Sequence, residues 1–169
     1  MKKIIYLFII AAGLLLASCE KDEVGGTVTE KMAGDWYVTL DAVDDNFNVI
    51  PGGENLMGGA VEILTYSTAS NTDSIWIDDM ENIWQFKVRT KVDVANLTFD
   101  APDVVANYYY DSDGVKIKNG KVLHGAARTP SGMPADSIVF YVGFGDDSPA
   151  FSMYKVAGYR RTGFTADEP

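Results

Sequence analysis

The chain has one cysteine, one histidine and few bases, and each scarcity removes a class of function. A single thiol, Cys19, cannot close an intramolecular disulfide, so a cysteine-stapled scaffold is excluded and the sulfur is left for another bond. A single imidazole, His124, means that any Ser-His-Asp chemistry would hang on that one residue. Lysine and arginine number 14 against 24 acids, a net charge of −10 over 169 residues. Nucleic acid is therefore not an expected partner, because phosphate backbones are held by basic stripes and a domain this negative is repelled along its length. No stretch combines the length and the 3.6-residue period of an amphipathic helix.

What is present begins with an export signal. Lys2 and Lys3 precede an almost unbroken apolar run over residues 4–16, and small residues follow at Ala17 and Ser18. At roughly 1.5 Å per helical residue the run spans about 20 Å, short of the ~30 Å that a retained transmembrane helix must cross. Leu16-Ala17-Ser18-Cys19 resembles the lipobox of bacterial lipoproteins, in which the thiol takes a diacylglycerol through a thioether and cleavage leaves the acylated cysteine as the first residue. That resemblance implies a signal peptide over residues 1–18, lipidation at Cys19 and membrane attachment by acyl chains, which hold firmly when two or three are present. Cleavage removes Lys2 and Lys3 and no acid, taking the net charge from −10 to −12. Residues 19–30 are polar or small and read as a tether. Their acidic start, Glu20-Lys21-Asp22-Glu23, resembles the surface-export signals of some Gram-negative lipoproteins, which implies an outer membrane lipoprotein at the cell surface, the alternative being the periplasmic face.

The remaining residues, 31–169, suit one domain, and strand signals fill them. Trp84, Phe86 and Val88 alternate with Gln85, Lys87 and Arg89, and Val115 and Ile117 alternate with Lys116 and Lys118, the period of half-buried strands. Asn119-Gly120 lies between residues 115–118 and 121–124 and predicts a tight hairpin, because both residues accept positive φ. Further strands are expected over 35–43, 60–66, 74–77, 95–99, 104–110, 137–144 and 152–164, the last broken near Gly158. Turn chemistry at 71–73, 78–79, 111–114 and 146–149 separates them, and the glycine-rich 51–59 reads as a long loop able to cover a pocket. The pattern predicts an all-β fold of about eight to ten antiparallel strands, as an up-and-down barrel or, alternatively, a β-sandwich.

Gly34-Asp35-Trp36 opens the first strand, and Arg160 and Arg161 stand in the last. Lipocalin-like, or calycin, barrels are similar, with a tryptophan across the floor and an arginine of the final strand laid over it. The physics is a cation–π contact plus hydrogen bonds that close one end of the barrel. Several further stretches resemble a family of bacterial lipoproteins labelled lipid-binding putative hydrolases. They are residues 34–38, 84–88, 119–122, 129–132, Asp136-Ser137-Ile138 with Phe140, and 154–164, of which the closing Gly-Tyr-Arg-Arg-Thr-Gly-Phe is the most specific. The resemblance implies a lipocalin-like β fold, a membrane-attached location and lipid binding. It carries over no catalytic residue.

The residues themselves show no catalytic set. There is no Gly-x-Ser-x-Gly elbow, so a hydrolase would have to use Ser131 or Ser137 with His124. The aspartate pairs fall at turns, where aspartate serves local hydrogen bonding. Asp111-Ser112-Asp113-Gly114 starts like a calcium loop but has Val122 where the bidentate glutamate belongs, so no metal site and no cofactor are expected. Trp76, Trp84, Tyr108, Tyr109 and Tyr110 are the candidate ligand-lining residues. Read as a strand, the tyrosine run puts Tyr108 and Tyr110 on one face and Tyr109 on the other. Lining a cavity, these aromatics suit a small hydrophobic or amphipathic ligand bound without turnover; exposed, they suit stacking on a glycan.

Overall fold

The computed structural model describes residues 26–70, 73–111 and 113–169. The export signal, Cys19 and the first part of the tether lie outside the described residues, as do two positions of the turn at 71–73 and one of that at 111–114. Eight antiparallel strands close into a barrel in strict sequence order. They are β1 (Gly34–Ala42), β2 (Val61–Ser67), β3 (Ser74–Asp78), β4 (Lys87–Asp93), β5 (Thr98–Val105), β6 (Val115–Arg128), β7 (Pro134–Phe144) and β8 (Tyr154–Arg160). β8 pairs back onto β1 from Trp36↔Arg160 to Ala42↔Tyr154, which rules out the sandwich.

Side-chain alternation places the core on the barrel's inner surface. Trp36, Val38 and Leu40 of β1, Ile75 and Ile77 of β3, and Ile138, Phe140 and Val142 of β7 are fully buried and join one continuous cluster. The lumen is therefore filled by side chains, as eight-stranded barrels allow. Strand direction gives the barrel two ends. One, the floor, carries the N-terminal approach with a 3-10 turn (Glu30–Met32), the β2–β3, β4–β5 and β6–β7 loops, and the C-terminal segment with its 3-10 turn (Thr165–Asp167). The other, the mouth, carries the β1–β2, β3–β4, β5–β6 and β7–β8 loops.

Several sequence expectations are corrected. Asn119-Gly120 is no hairpin: β6 runs straight through it, and the pair forms a β-bulge. Against β7, Lys118↔Tyr141 is followed by Lys121↔Val139, and against β5, Ile117↔Ala101 by Gly120↔Phe99, so β6 holds one extra residue relative to both neighbours. Asn119 takes the positive φ, 54°, and a Cβ at Gly120 would lie 2.3 Å from the Phe99 ring. The two residues thus bend a strand around a core phenylalanine, a use of the same backbone freedom that a turn would require. Tyr108-Tyr109-Tyr110 is not in a strand, since β5 ends at Val105, and β4 starts at Lys87, so Trp84 belongs to a loop. Residues 95–97 form a turn before β5. β8 is unbroken at Gly158, where a Cβ would fall 1.8 Å from the carbonyl oxygen of Tyr37; the glycine lets β8 close against β1.

Candidate functional site

The floor is built around Trp36, fully buried at the start of β1. Its indole N–H donates to Thr65 Oγ1 at 2.8 Å, and that hydroxyl donates onward to the carbonyl of Met32 at 2.6 Å. The Arg160 guanidinium carbon lies 4.6 Å from the Trp36 ring centroid, while Nη1 and Nη2 donate to the carbonyls of Ala33 at 2.7 Å and Lys31 at 3.2 Å. Gly34 leaves room for it, since a Cβ there would stand 2.9 Å from Arg160 Nη1. Arg161, the next residue along, points outward to Tyr37, Glu62 and Glu168.

Two clefts flank the filled core. The first, of about 410 Å³, opens at the mouth between Ile83, Trp84, Tyr110 and Phe144, with Asp146 and Asp147 on its rim. Trp84 packs edge-on against Phe144 and Tyr154, with centroids 5.6 and 4.6 Å apart. Asp147 Oδ2 is enclosed without a hydrogen-bond partner, and burial together with Asp146 raises its pKa.

The second cleft, of about 610 Å³, is an opening in the barrel wall. β4 and β5 pair only from Lys91↔Asp100 to Asp93↔Thr98, and beyond that they part. Pro102 supplies the reason: it has no N–H to give a ladder, so β5 leaves β4 here. The strands are bridged again near the mouth, where Lys87 N–H donates to Asn107 Oδ1 at 3.1 Å and Tyr108 N–H to the Lys87 carbonyl at 2.8 Å. Ala101, Pro102 and Val105 make the cleft's apolar side, and Arg89, Lys91 and Asp103 its rim. Thr90 also lines it: this residue is 1% exposed, and its Oγ1 has no hydrogen-bond partner. A buried hydroxyl left unpaired carries a desolvation cost that an incoming polar atom would relieve. The proline in the run Asp100-Ala101-Pro102-Asp103 was the signal for this cleft that reading strand periodicity passed over.

The other aromatics gather on the outer wall. Lys87 Nζ lies 5.4, 5.6 and 6.0 Å from the ring centroids of Tyr66, Trp76 and Tyr109 and 3.1 Å from Asp78. Tyr108 meets Trp76 edge-on at 4.7 Å. Asp78 accepts from Tyr66 Oη at 2.8 Å and Tyr109 Oη at 2.5 Å. Burial opposes its ionisation, but the hydrogen bonds from Tyr109 and Tyr66 win and hold its pKa below the usual carboxylate range. Burial and the same carboxylate push Tyr109 up to about 12. Of the five candidate ligand-lining residues, Trp84 and Tyr110 share the mouth cleft, while Trp76, Tyr108 and Tyr109 belong to this network.

His124 Nδ1 lies 3.2 Å from Asp136 Oδ2, and Arg160 Nε is 3.3 Å from the same oxygen without the alignment of a hydrogen bond. Neither serine joins them. Ser137 Oγ donates to the Gly158 carbonyl at 2.9 Å, and Ser131 Oγ bonds Thr129 Oγ1 at 3.1 Å. The imidazole thus has a carboxylate partner and no nucleophile in hydrogen-bond contact among the described residues.

No curated protein matches the chain. The family model described as "Lipid-binding putative hydrolase" matches residues 21–165, a span that takes in all eight strands and reaches the start of the C-terminal turn. That span carries the floor, both clefts and the aromatic wall, and the chain belongs to this lipid-binding family.

Proposed function

We propose that this chain is a membrane-anchored lipoprotein that holds one small hydrophobic or amphipathic, lipid-like ligand without turnover, and that the ligand lies in the cleft between β4 and β5. The observation that carries this reading is the wall cleft itself. The lumen is occupied by core side chains, whereas this opening has the volume of a ligand site, an apolar side and one unpaired buried hydroxyl. An acyl or similar chain would cover Ala101, Pro102 and Val105, and an oxygen of the ligand would meet Thr90 Oγ1. The rim carries both signs of charge, which suits a neutral or zwitterionic head better than an anionic one on so negative a protein. The absence of a serine on His124 favours binding over hydrolysis. The anchor in this reading is Cys19, in the outer membrane with the domain on the cell surface.

Titration with a fluorescent neutral lipid tests the site. One saturable equivalent is expected, and Thr90→Val should weaken it about tenfold, the worth of one hydrogen bond, while leaving the ligand-free fold as stable or more so. Binding that never saturates, or that Thr90→Val leaves untouched, would remove the cleft as the site. For the anchor, Cys19→Ala should abolish fatty-acid labelling and release the protein from the membrane fraction; label retained by that variant would sink the lipobox reading.

A second reading has its own observation. Tyr108, Tyr109 and Tyr110 are 57%, 37% and 39% exposed, the kind of surface on which sugar rings stack. Soluble oligosaccharides titrated in parallel decide between the two, since a sugar that saturates where the neutral lipid does not would make the protein a glycan-binding accessory lipoprotein.

A further inference from the structure

We infer that the floor of the barrel rests on the bilayer, with Phe164 and Met133 entering its interfacial layer and the mouth turned away from it. The inference rests on the Cys19 anchor proposed above and adds an orientation to it.

Three observations converge. The first is where the chain emerges. The described residues begin at Gly26 beside the floor, where Thr27 and Thr29 hydrogen-bond Ser67 at the end of β2. Seven residue steps separate Gly26 from Cys19, a reach of at most about 25 Å fully extended. A lipid on Cys19 therefore keeps this end of the barrel close to the membrane.

The second is the apolar surface at that end. Phe164 is 71% exposed and Met133 60% exposed, the two most exposed large hydrophobic side chains described. They are not on loose ends. Asp167 ties their two segments together, accepting from Ser131 N–H at 3.3 Å and Thr162 Oγ1 at 2.6 Å, while its carbonyl accepts from Tyr159 Oη at 2.9 Å. Thr162 Oγ1 in turn accepts from Phe164 N–H at 3.3 Å. A hydrogen-bonded turn that holds a phenylalanine out toward solvent suits an apolar phase beyond it.

The third is charge. The four mouth loops hold nine acids, namely Asp44, Asp45, Glu54, Asp79, Glu81, Asp111, Asp113, Asp146 and Asp147, and no lysine or arginine. The floor segments hold Glu30, Asp73, Asp167 and Glu168 against Lys31 and Arg161. An anionic membrane surface repels the mouth far more strongly than the floor, and the repulsion acts within about a Debye length, roughly 10 Å. The tether and the charge thus select one orientation, and the two most exposed apolar tips lie at that end, while the exposed apolar side chains of the mouth loops, Ile50, Leu56 and Tyr108 to Tyr110, stand among that end's acids. The orientation also brings the wall cleft, whose lining reaches Ser70 and Asp73 in a floor loop, to the membrane side of the molecule.

The test uses the mature lipidated protein in phosphatidylcholine vesicles, with and without bromine on the acyl chains. Single cysteines replace Phe164, Met133 or, at the mouth, Asp45, and each is labelled with bimane; a thioether-linked Cys19 does not react. Labels at 164 and 133 should lose most of their emission in brominated vesicles, and the label at 45 should keep its own. Undiminished emission at 164 and 133, or equal quenching at 45, would overturn the orientation while leaving the anchor in place. Two bimanes per chain would show a free Cys19, which removes the anchor and the orientation with it.

Discussion

The two ends of the barrel are made from the same strands but by opposite means. At the floor the connections are short, 68–73, 94–97 and 129–133, and the polar groups there are spent on one another: Trp36 on Thr65, Thr65 on Met32, Arg160 on Ala33 and Lys31. At the mouth the connections lengthen to 43–60, 79–86, 106–114 and 145–153, carry nine acids with no lysine or arginine of their own, and leave Trp84 and Tyr110 around an open cleft. A strand framework sealed at one end can carry variable loops at the other, because the sealed end supplies the packing that fixes the strands. Stability should therefore be concentrated at the floor.

The largest effect expected from this difference is on the two tryptophans. Trp36→Ala should cost roughly 3 to 5 kcal/mol, the usual loss for a fully buried aromatic, against about 1 to 2 kcal/mol for the half-buried Trp84→Ala. Urea melts give both values, and equal losses would erase the contrast between the ends. Next come the neighbouring arginines. Arg160→Ala removes a cation–π contact and two hydrogen bonds and should cost about 1 to 2 kcal/mol, whereas Arg161→Ala removes half-exposed ion pairs worth less than about 1 kcal/mol. Similar small losses from both would argue against Arg160 as the floor's closure.

Acid sharpens the comparison further. Hydrogen bonds from Ser131, Thr162 and Thr129 hold the Asp167 carboxyl down to about 2. Its folded pKa thus lies below the ordinary value near 3.9, so its stabilisation is complete above that value and is lost as pH falls toward 2. Melts across this window should show the loss, and Asp167→Asn should flatten it. The smallest signal belongs to the mouth side. Tyr109, pushed up to about 12 by burial and Asp78, should ionise late in an alkaline titration followed by ultraviolet absorbance, and Asp78→Asn should bring it part of the way down. A Tyr109 midpoint unmoved by that substitution would leave burial as the sole cause.

Periodicity made the fold class and most strands legible, because inward and outward positions alternate on any half-buried strand, and Val115 and Ile117 set against Lys116 and Lys118 announce their faces directly. It failed where the same residue chemistry serves two geometries. Asn119-Gly120 supplies positive φ to a bulge as readily as to a turn, and only the Phe99 ring on the neighbouring strand distinguishes them. Tyr108 to Tyr110 has strand propensity, yet Tyr108 and Tyr109 are taken by contacts to Lys87, Trp76 and Asp78 and Tyr110 by Asp146, all distant in sequence. The site was less legible than the fold. Trp84 and Tyr110 do meet at a cleft, but the wall opening depends on a ladder that does not form, and missing hydrogen bonds leave little trace beyond Pro102.

That proline has another consequence. A closed barrel exposes no sheet edge, so neighbouring copies of such a barrel offer no template on which one chain could extend another's sheet. The parting of β4 from β5 reopens a short edge in an otherwise closed structure. Pro102 stands on it with a ring in place of the donor that a foreign strand would need. The residue that opens the wall also guards it, and a substitution there that restored an N–H would leave that short edge a template for aggregation.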